Sequence, residues 1–340
     1  MAEYKAIKGK TVQSLASDLD AEGEGQIWYN TTSSDFKTIV KVTGAWASGA
    51  NFNTTSGSRG ASGTQVAGLM YGGASDPAPN GTVVNESYDG TSWTELADLS
   101  TGRRGPYDGG TQTAAIAAAG SQGPGGSVAV VETWDGSSWT ETTNINTTRD
   151  SGGSVGTVST AILAVSGQFE NGSPAWKAHV EQWDGSSWTE IADVNTVRYN
   201  QGGMGTVTAG LIAAGSEGPP TIYGRVESWD GSSWTETTDV NTARDSTIGA
   251  GVTQTYGMIF GGYSGTANVA NTELWDGTAW TEVADFGTAA RQLGGAGTGS
   301  LALGGGGYAS GDPGRTNATF EWNFDTTIAA GAWAAGENLN

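Results

Sequence analysis

The sequence predicts an all-β fold built from repeated units of four strands, and three observations lead to this prediction. A ten-residue segment, Glu-Gln-Trp-Asp-Gly-Ser-Ser-Trp-Thr-Glu at Glu181–Glu190, recurs with small changes at four other places. The copies follow one another at a nearly constant spacing. The composition, with 56 glycines and 14 tryptophans in 340 residues, is typical of many short strands joined by tight turns.

Each copy of the segment predicts a β-hairpin. Alternating side chains around the first aromatic residue indicate a strand. Asp-Gly supplies the positive-φ corner of a tight turn, and Trp-Thr-Glu begins the returning strand. A lone hairpin is only marginally stable in water, so the hairpins must pack on other elements. The other copies lie at Glu86–Glu95, Glu132–Glu141, Glu227–Glu236 and Glu273–Glu282.

The second tryptophan of each segment sets the period of the repeat. Successive copies of this residue, called here the second anchor, are 46, 49, 46 and 46 residues apart. Gly44-Ala45-Trp46 matches the same position further upstream. The second anchors are Trp46, Trp93, Trp139, Trp188, Trp234 and Trp280. Arginines recur at a similar spacing: Arg59, Arg104, Arg149, Arg198, Arg244 and Arg291.

A four-strand repeat of this length favours a β-propeller. A complete unit has a first strand of small residues, an apolar second strand built from Ala, Gly, Ile and Leu, a variable loop and the hairpin. We expect the second strands at the crowded axis and the tryptophans between blades, where burying one large side chain is worth roughly 1.5–3 kcal/mol.

The predicted organisation is an N-terminal arm or anchor at residues 1–24 and a propeller at 25–340. The arm includes a short helix near residues 12–16. Residues 25–58 form a partial N-terminal blade, and 59–335 form six full repeats, the last closing through Trp322 and Trp333. Seven blades are therefore favoured. The alternative is six blades with residues 25–50 as an added flap.

A pair of glycines follows the second strand at Gly72-Gly73, Gly261-Gly262 and Gly304-Gly305. In this feature the repeats resemble the Kelch family. Tyr88-Asp89 and Trp134-Asp135 match its aromatic-Asp pair. Units two to four depart from the glycine pair with Ala119-Gly120, Ser166-Gly167 and Ala214-Gly215. The resemblance covers about 59–335. It implies a propeller and no particular activity, because propellers host unrelated functions.

The N-terminal region resembles a second group of proteins. Gly25-Gln-Ile-Trp-Tyr-Asn-Thr-Thr followed by residues 36–42 is similar to a sequence found in tail-fibre and appendage proteins of bacteriophages, especially marine ones. This resemblance implies a virion protein on the surface of an extracellular particle. Its arm would attach to other virion proteins. We expect no signal peptide, because no apolar run follows the basic start.

Charge and composition exclude several classes of partner. The formal net charge of −20 disfavours nucleic acid and anionic membrane surfaces. No apolar run approaches the ~20 residues of a membrane span. The chain has no cysteine and one histidine. His179 is therefore interpreted as a strand residue, and we expect no metal and no cofactor.

No catalytic residue is predicted. Copper oxidases related to Kelch need a Tyr–Cys crosslink and several ligands, which this chain lacks. The Asp135–Trp139 turn is one residue shorter than the Asp-box of sialidases. The repeated arginines obey the symmetry of the repeat, so pairing with a repeated glutamate (Arg149 with Glu132 or Glu181) is favoured over catalysis. The Asp-Gly aspartates are interpreted as turn residues, with calcium as the minor alternative: Asp89, Asp135, Asp184, Asp230 and Asp276.

The units differ most in the loop after the second strand, and function on a repeat scaffold usually lies in such loops. These loops are expected on one face, opposite the Asp-Gly hairpins. Their candidate ligand-binding residues are Phe169, Trp176, Lys177, Tyr223, Arg225, Tyr263, Tyr308 and Arg315. The alternative is that several of these side chains pack under their own loops.

The sequence therefore predicts a non-enzymatic adhesion component of a phage tail or appendage that binds a host-surface glycan or protein. A purely architectural virion or scaffold protein is the alternative. A glycan-processing enzyme is a weaker third interpretation. A homo-oligomer is compatible with all three.

Overall fold

The computed structural model describes residues 13–15, 27–32, 34–41, 44–75, 80–124, 126–170, 174–218, 221–309, 314–324 and 326–330. Within these ranges every regular element is a β-strand, and there are 34 of them. The same ranges contain no helix that could span a membrane. The chain divides into two compact units, one made of residues 1–44 with 324–340 and the other of residues 45–323.

The first unit contains one four-stranded sheet in the order β1 (Gln13–Leu15), β2 (Ile27–Asn30), β3 (Asp35–Lys41) and β34 (Thr326–Ala330). β1 pairs parallel to β2, and the other pairs are antiparallel. The prediction of a short helix near residues 12–16 is therefore wrong for Gln13–Leu15, which form a strand. The rest of the predicted arm (1–24) and Trp333 lie outside the described residues.

The second unit is a β-propeller of six four-stranded blades. Blade 1 has β5 (Gly60–Thr64), β6 (Ala67–Tyr71), β7 (Asn85–Tyr88) and β8 (Trp93–Glu95). Blade 2 has β9 (Tyr107–Thr111), β10 (Ala114–Ala118), β11 (Val131–Trp134) and β12 (Trp139–Thr142). Blade 3 has β13 (Gly153–Val158), β14 (Ala161–Val165), β17 (Val180–Trp183) and β18 (Trp188–Ile191), with a loop hairpin of β15 (Gln168–Glu170) and β16 (Pro174–Trp176).

Blades 4 to 6 repeat this plan. Blade 4 has β19 (Gly202–Thr206), β20 (Ala209–Ala213), β23 (Val226–Trp229) and β24 (Trp234–Thr237), with a loop hairpin of β21 (Ser216–Gly218) and β22 (Thr221–Ile222). Blade 5 has β25 (Ile248–Thr253), β26 (Tyr256–Phe260), β27 (Thr272–Trp275) and β28 (Trp280–Val283). Blade 6 has β30 (Gly294–Gly297), β31 (Leu301–Gly305), β33 (Thr319–Asn323) and β4 (Ala45–Ser48), while β29 (Ala290–Arg291) pairs with β32 (Tyr308–Ala309).

The ring closes through its N-terminal strand. β4 pairs antiparallel with β33 and places Trp46 opposite Trp322, as Trp139 stands opposite Trp134 in blade 2. The strand that carries Trp46 is therefore the outer strand of the sixth blade and does not begin an additional one. The favoured count of seven blades is wrong for this reason, and the count of six is confirmed. Residues 45–48, which the six-blade alternative placed in an added flap, are instead part of the sixth blade.

Glycine-rich first strands line the axis of the propeller. A Cβ atom on Gly203 would lie 2.1 Å from the carbonyl oxygen of Ser154 in the neighbouring blade, so only glycine allows this approach. The second strands lie one layer further out, where Ile116, Leu163 and Ile212 are fully buried. The expectation that the second strands occupy the axis was wrong, because the first strands have even smaller side chains.

Paired aromatic side chains fill the space between blades. The two anchors of one blade lie with ring centroids 4.9–5.6 Å apart in all six blades. In blades 3, 4 and 5 the indole N–H of the second anchor donates to a backbone carbonyl of the preceding blade. Trp188 donates to Thr143 (3.2 Å), Trp234 to Ala192 (3.1 Å) and Trp280 to Thr238 (3.1 Å). These tryptophans therefore combine packing with a hydrogen bond across the interface.

Two residues in the left-handed conformation follow every second strand. The amide N–H of the second residue donates to a carbonyl of the next linker, the segment that joins the outer strand of one blade to the first strand of the next. Gly73 donates to Arg103 (2.8 Å) and Gly262 to Ala290 (2.7 Å). The pairs are Gly72-Gly73, Ala119-Gly120, Ser166-Gly167, Ala214-Gly215, Gly261-Gly262 and Gly306-Gly307.

The departures from the Kelch-like glycine pair in units two to four thus keep its conformation. Ala119, Ser166 and Ala214 adopt φ of 56–65°. Such a conformation costs a non-glycine residue of order 1 kcal/mol, so the surrounding hydrogen bonds must impose it. In the sixth unit the pair is shifted, because Gly304 and Gly305 belong to the end of β31.

A buried Arg–Glu pair joins each of the first five blades to the linker that enters it. In blade 4 the carboxylate of Glu227 accepts Nη2 of Arg198 (2.5 Å) and the backbone N–H groups of Asn195 (2.7 Å) and Thr196 (3.1 Å). Since residues 195–198 arrive from blade 3, the cluster ties adjacent blades together. The pairs are Arg59–Glu86, Arg103–Glu132, Arg149–Glu181, Arg198–Glu227 and Arg244–Glu273.

Structural pairing is therefore confirmed for four of the six repeated arginines and is wrong for Arg104 and Arg291. Arg103, and not Arg104, forms the pair of the second unit, and Arg149 pairs with Glu181. In the sixth unit the equivalent positions hold Ala290 and Phe320, so Arg291 takes no part in such a pair. There the Phe320 ring occupies the place of the carboxylate, and a Cβ on Gly287 would lie 2.0 Å from it.

Replacing Trp46 by alanine tests the closure of the ring. We expect Trp46→Ala to lower the free energy of unfolding by about 3 kcal/mol, because the half-buried indole packs against Phe260, Phe286 and Trp322. Urea unfolding of the full chain measures this loss. Val66→Ala, at a 60% exposed position, serves as the control and should change it by less than about 0.5 kcal/mol. An unchanged midpoint for Trp46→Ala would exclude closure through β4.

The sixth blade suggests how an Arg–Glu cluster can be replaced. Glu227→Ala leaves the Arg198 guanidinium buried without its carboxylate, and we expect a loss of about 3–5 kcal/mol. The triple variant Asn195→Gly, Arg198→Ala, Glu227→Phe copies the apolar arrangement of blade 6 and should recover at least half of that loss. Urea unfolding compares the two variants, and a triple variant no more stable than Glu227→Ala contradicts the interpretation.

Candidate functional site

The two ends of the propeller carry different kinds of segment. At one end, called here the loop face, the second strands end, the variable loops lie and the linkers enter the first strands. At the other end, called here the turn face, lie the Asp-Gly hairpins and the turns between first and second strands. This separation follows from the antiparallel order of the strands in each blade.

The aspartates of the turn face are occupied by their own turns. Oδ1 of Asp184 accepts the backbone N–H groups of Ser187 and Ser186, both at 2.8 Å. These hydrogen bonds to the ionised carboxyl lower the pKa of Asp184 to about 2. The same geometry recurs at Asp89, Asp135, Asp230 and Asp276. Across the described ranges no three acidic or histidine side chains form a group that could hold a metal ion.

The variable loops of blades 3 to 6 touch one another in sequence and form an arc on the loop face. A Cβ on Gly218 of blade 4 would lie 2.5 Å from the Trp176 ring of blade 3. A Cβ on Gly265 of blade 5 would lie 3.2 Å from Ile222 of blade 4. Asn268 of blade 5 donates its amide to the carbonyl of Tyr308 in blade 6 at 2.7 Å. In blade 5 an isolated β-bridge between Tyr263 and Asn268 closes the loop. The corresponding β-bridges of blades 1 and 2 join only small residues, Ala74 with Gly81 and Ser121 with Ser127.

The blade 3 end of the arc holds three of the predicted residues. The half-buried Trp176 stacks on Tyr199 with ring centroids 5.7 Å apart. Phe169 is buried at 4% exposure, with the Lys177 ammonium 4.8 Å from its ring centroid and His179 edge-on at 5.9 Å. Phe169 therefore packs under its own loop, whereas Lys177 is exposed and Trp176 is partly accessible.

The blade 4 loop holds Tyr223 and Arg225. The Arg225 guanidinium lies 5.2 Å from the centroid of the Tyr223 ring and donates to the Thr196 hydroxyl at 3.1 Å. The Tyr223 hydroxyl donates to the carboxylate of Glu217 at 2.6 Å, and this hydrogen bond raises the pKa of Tyr223. The two side chains are thus held in fixed positions at the surface.

The loops of blades 5 and 6 bring the last three predicted residues together around a fourth. The Arg291 guanidinium lies 4.9 Å from the Tyr263 centroid and 5.8 Å from the Tyr308 centroid. Arg315 is buried at 7% exposure, and its guanidinium lies 4.4 Å from the centroid of the same Tyr308 ring. Tyr263, Arg291, Tyr308 and Arg315 form one alternating aromatic–cationic cluster, called here the Tyr–Arg cluster.

Two members of the arc, Tyr199 and Arg291, were not predicted from the sequence. Arg291 was grouped with the structural arginines because its spacing fits theirs. The signal lies in the linker motif Asn-Thr-x-Arg at Asn195–Arg198 and Asn241–Arg244, which aligns with Gly287–Ala290 and so places Arg291 one residue beyond the paired arginine. Tyr199 occupies the equivalent position in blade 4, one residue beyond the paired Arg198.

The central channel is a second concave region, with a cavity of about 280 Å³ toward the turn face and one of about 100 Å³ toward the loop face. At the loop-face mouth, left-handed residues of successive linkers form backbone hydrogen bonds to one another. Gly105 donates to Ser58 (2.8 Å), Ser151 to Gly105 (3.0 Å) and Asn200 to Ser151 (2.6 Å). Backbone hydrogen bonds therefore join successive linkers around the mouth.

Asp108 is the carboxylate among the described residues that line these cavities. Its Oδ2 accepts the Ala61 N–H at 2.8 Å, and its own N–H donates to the Ser154 hydroxyl at 2.9 Å. Burial raises the pKa of Asp108 to about 6. A single acidic residue that joins three blades through its carboxylate and its backbone N–H supports a structural role better than acid–base chemistry, which needs a partner group.

No protein-family model matches the chain, and no curated protein is significantly similar to it.

The raised pKa of Asp108 predicts a pH dependence of stability. The folded protein binds more protons than the unfolded chain between about pH 4 and pH 6, so this residue lowers the free energy of unfolding as the pH rises through that window. Asp108→Asn keeps an oxygen acceptor for the Ala61 N–H and removes this loss of stability at higher pH, because the amide does not ionise. We expect it to stabilise the protein at about pH 7.5 by up to about 3 kcal/mol and to have little effect at about pH 4.

Urea unfolding at both pH values measures this difference. Asp230→Asn is the matched control, because its exposed carboxyl has a pKa lowered to about 2, and it should give no stabilisation at the higher pH. Equal effects of Asp108→Asn at the two pH values would contradict a raised pKa.

Proposed function

We propose that this protein is a non-enzymatic recognition protein that binds a surface glycan or protein through the loop arc of blades 3 to 6. The observation that carries the proposal is the asymmetry of the ring. The loops of blades 3 to 6 place aromatic and cationic side chains side by side, whereas the loops of blades 1 and 2 have small residues at their bridges. Aromatic rings beside polar groups suit sugar rings and protein surfaces.

The distribution of basic residues supports the same face. Residues 45–323 include nine arginines and one lysine. Five arginines are buried in the Arg–Glu pairs. The other five residues all lie on the loop face: Arg104, Lys177, Arg225, Arg291 and Arg315. In a chain of net charge −20 this segregation gives the loop face a distinct electrostatic character.

A glycan-processing enzyme has less support. Catalysis would require reactive groups that depart from the symmetry of the repeat and face a substrate. The repeated glutamates and arginines are instead buried against each other, with side-chain exposures of at most 1%. Asp108 departs from the symmetry but has no second titratable group among the residues lining the channel cavities apart from Arg59.

The biological setting in the proposal comes from sequence resemblance. The Kelch-like repeats and the phage-like segment at residues 25–42 favour a tail or appendage component of a virion, attached to the particle through its N-terminal region. A purely architectural role within the same particle is the alternative, and the loop arc favours recognition over it.

Substitution of the arc tests the proposal with labelled protein and intact cells of marine bacterial isolates. We expect Trp176→Ala combined with Tyr223→Ala to reduce binding at least about tenfold, a loss of 1.4 kcal/mol or more, because both rings are partly accessible on the arc. The matched control is Val66→Ala with Val252→Ala, which removes exposed apolar groups from the turn face (60% and 45% exposed). Binding that falls for the turn-face pair, or for neither pair, contradicts the assignment of the arc.

A further inference from the structure

Arg291 is held in an unusual environment on the loop face. Its guanidinium lies between the rings of Tyr263 and Tyr308, at 4.9 Å and 5.8 Å from their centroids. Tyr308 is itself fixed by the Asn268 amide and by Arg315 above its ring. The stack therefore orders a long cationic side chain without using its N–H groups, because cation–π contacts engage the face of the guanidinium plane.

The N–H groups of Arg291 remain open for a ligand. Over the ranges that the structure describes, the side chain has no hydrogen-bond acceptor and no carboxylate within 4.0 Å. The residue is half-buried, and its side-chain nitrogens are not among the buried polar atoms that lack a partner, so its polar edge is accessible. A planar fork of donors in a fixed position is the group that best matches a carboxylate or sulfate.

Asp245, an acid close enough to feel the charge of Arg291, does not replace such a ligand. Asp245 feels the charge of Arg291, which acts to lower its pKa, but burial dominates and raises it. Its carboxylate instead accepts the Ser246 hydroxyl at 2.9 Å. Arg291 is thus close to a buried acid and still available toward solvent.

The repeat provides an internal comparison. Arg104 occupies the same linker position in blade 2 that Arg291 occupies in blade 6. The strand-bridge partner of Arg104 is Ser121, whereas that of Arg291 is Tyr308. One arginine has a small neighbour and the other has two aromatic walls. The Tyr rings, and not the arginine alone, distinguish the blade 5–6 position.

We propose that the Tyr–Arg cluster binds the anionic group, carboxylate or sulfate, of an acidic saccharide. The proposal rests on the recognition function proposed above and names its ligand class. Arg291 holds the oxyanion through paired N–H donors, and the ring of Tyr263, the aromatic residue at the end of the stack, contacts the sugar ring beside it. An acidic polysaccharide is favoured over a protein ligand, because one fixed guanidinium between two flat walls matches a single charged sugar unit.

Isothermal titration of the full chain tests this ligand class with three probes of similar length. The probes are an oligogalacturonate, its carboxyl-reduced neutral counterpart and a sulfated galactan oligosaccharide. We expect the neutral probe to bind at least about tenfold more weakly than one of the acidic probes, with an affinity for the acidic probe that falls between about 50 mM and about 300 mM salt. Preference for the carboxylated or the sulfated probe identifies which anion the site takes.

Variants separate the cluster from the general charge of the loop face. Arg291→Ala should weaken binding of the acidic probe at least about tenfold, Arg291→Lys should restore it only in part because the paired donors are lost, and Arg104→Ala should leave it unchanged. All three should keep the unfolding midpoint of the parent. Equal losses for Arg291→Ala and Arg104→Ala would overturn the assignment to the cluster.

The remaining outcomes distinguish this inference from the proposed function. Equal binding of neutral and acidic probes, or binding unaffected by Arg291→Ala, overturns the acidic-saccharide inference and leaves recognition through the arc intact. Binding to intact cells without binding to any saccharide also overturns it and indicates a protein ligand. Binding to neither cells nor saccharides overturns both.

Discussion

The buried glutamate on the third strand is the group on which the propeller depends. A carboxylate away from water must be compensated by hydrogen bonds and an opposite charge. Glu273 receives Nη2 of Arg244 at 2.5 Å and the N–H groups of Asn241 at 2.6 Å and Thr242 at 3.2 Å. Those donors arrive from the preceding blade, so satisfying the carboxylate positions the linker. The spacing of one blade from the next is thereby set by electrostatics as well as by the aromatic anchors.

The sixth blade shows that this device can be replaced. Ala290 and Phe320 occupy the positions of the arginine and the glutamate, and Phe320 packs against Phe286 with ring centroids 4.8 Å apart. Apolar replacement of a buried ion pair is often neutral or stabilising, because the desolvation of two charges is avoided. The seam of the ring, where β4 and β33 join chain segments far apart in sequence, thus relies on aromatic packing around Trp46.

The propeller could be predicted from sequence because its period, turn residues and anchors repeat. The blade count could not, because pairing of Trp46 with Trp322 joins residues that are remote in the chain. Residue spacing also misassigned the arginines by one position at Arg103 and at Arg291. In the first blade Arg59 lies three residues beyond the usual linker position, where Ser56 stands, and its side chain still reaches Glu86 at 3.1 Å. The burial of Phe169 and the grouping of Tyr263, Tyr308 and Arg315 depended on loop conformations that have no repeat to define them.

Ligand recognition by the loop arc of blades 3 to 6 can be followed by hydrogen–deuterium exchange. The full chain is compared with and without a surface polysaccharide of a cell that it binds. The account predicts slower exchange in residues 216–218, 221–223, 263–268 and 308–309, with no change in the Asp-Gly turns at 89–92, 135–138 and 184–187. Slower exchange in those turns, or along the channel strand Tyr107–Thr111, would contradict it.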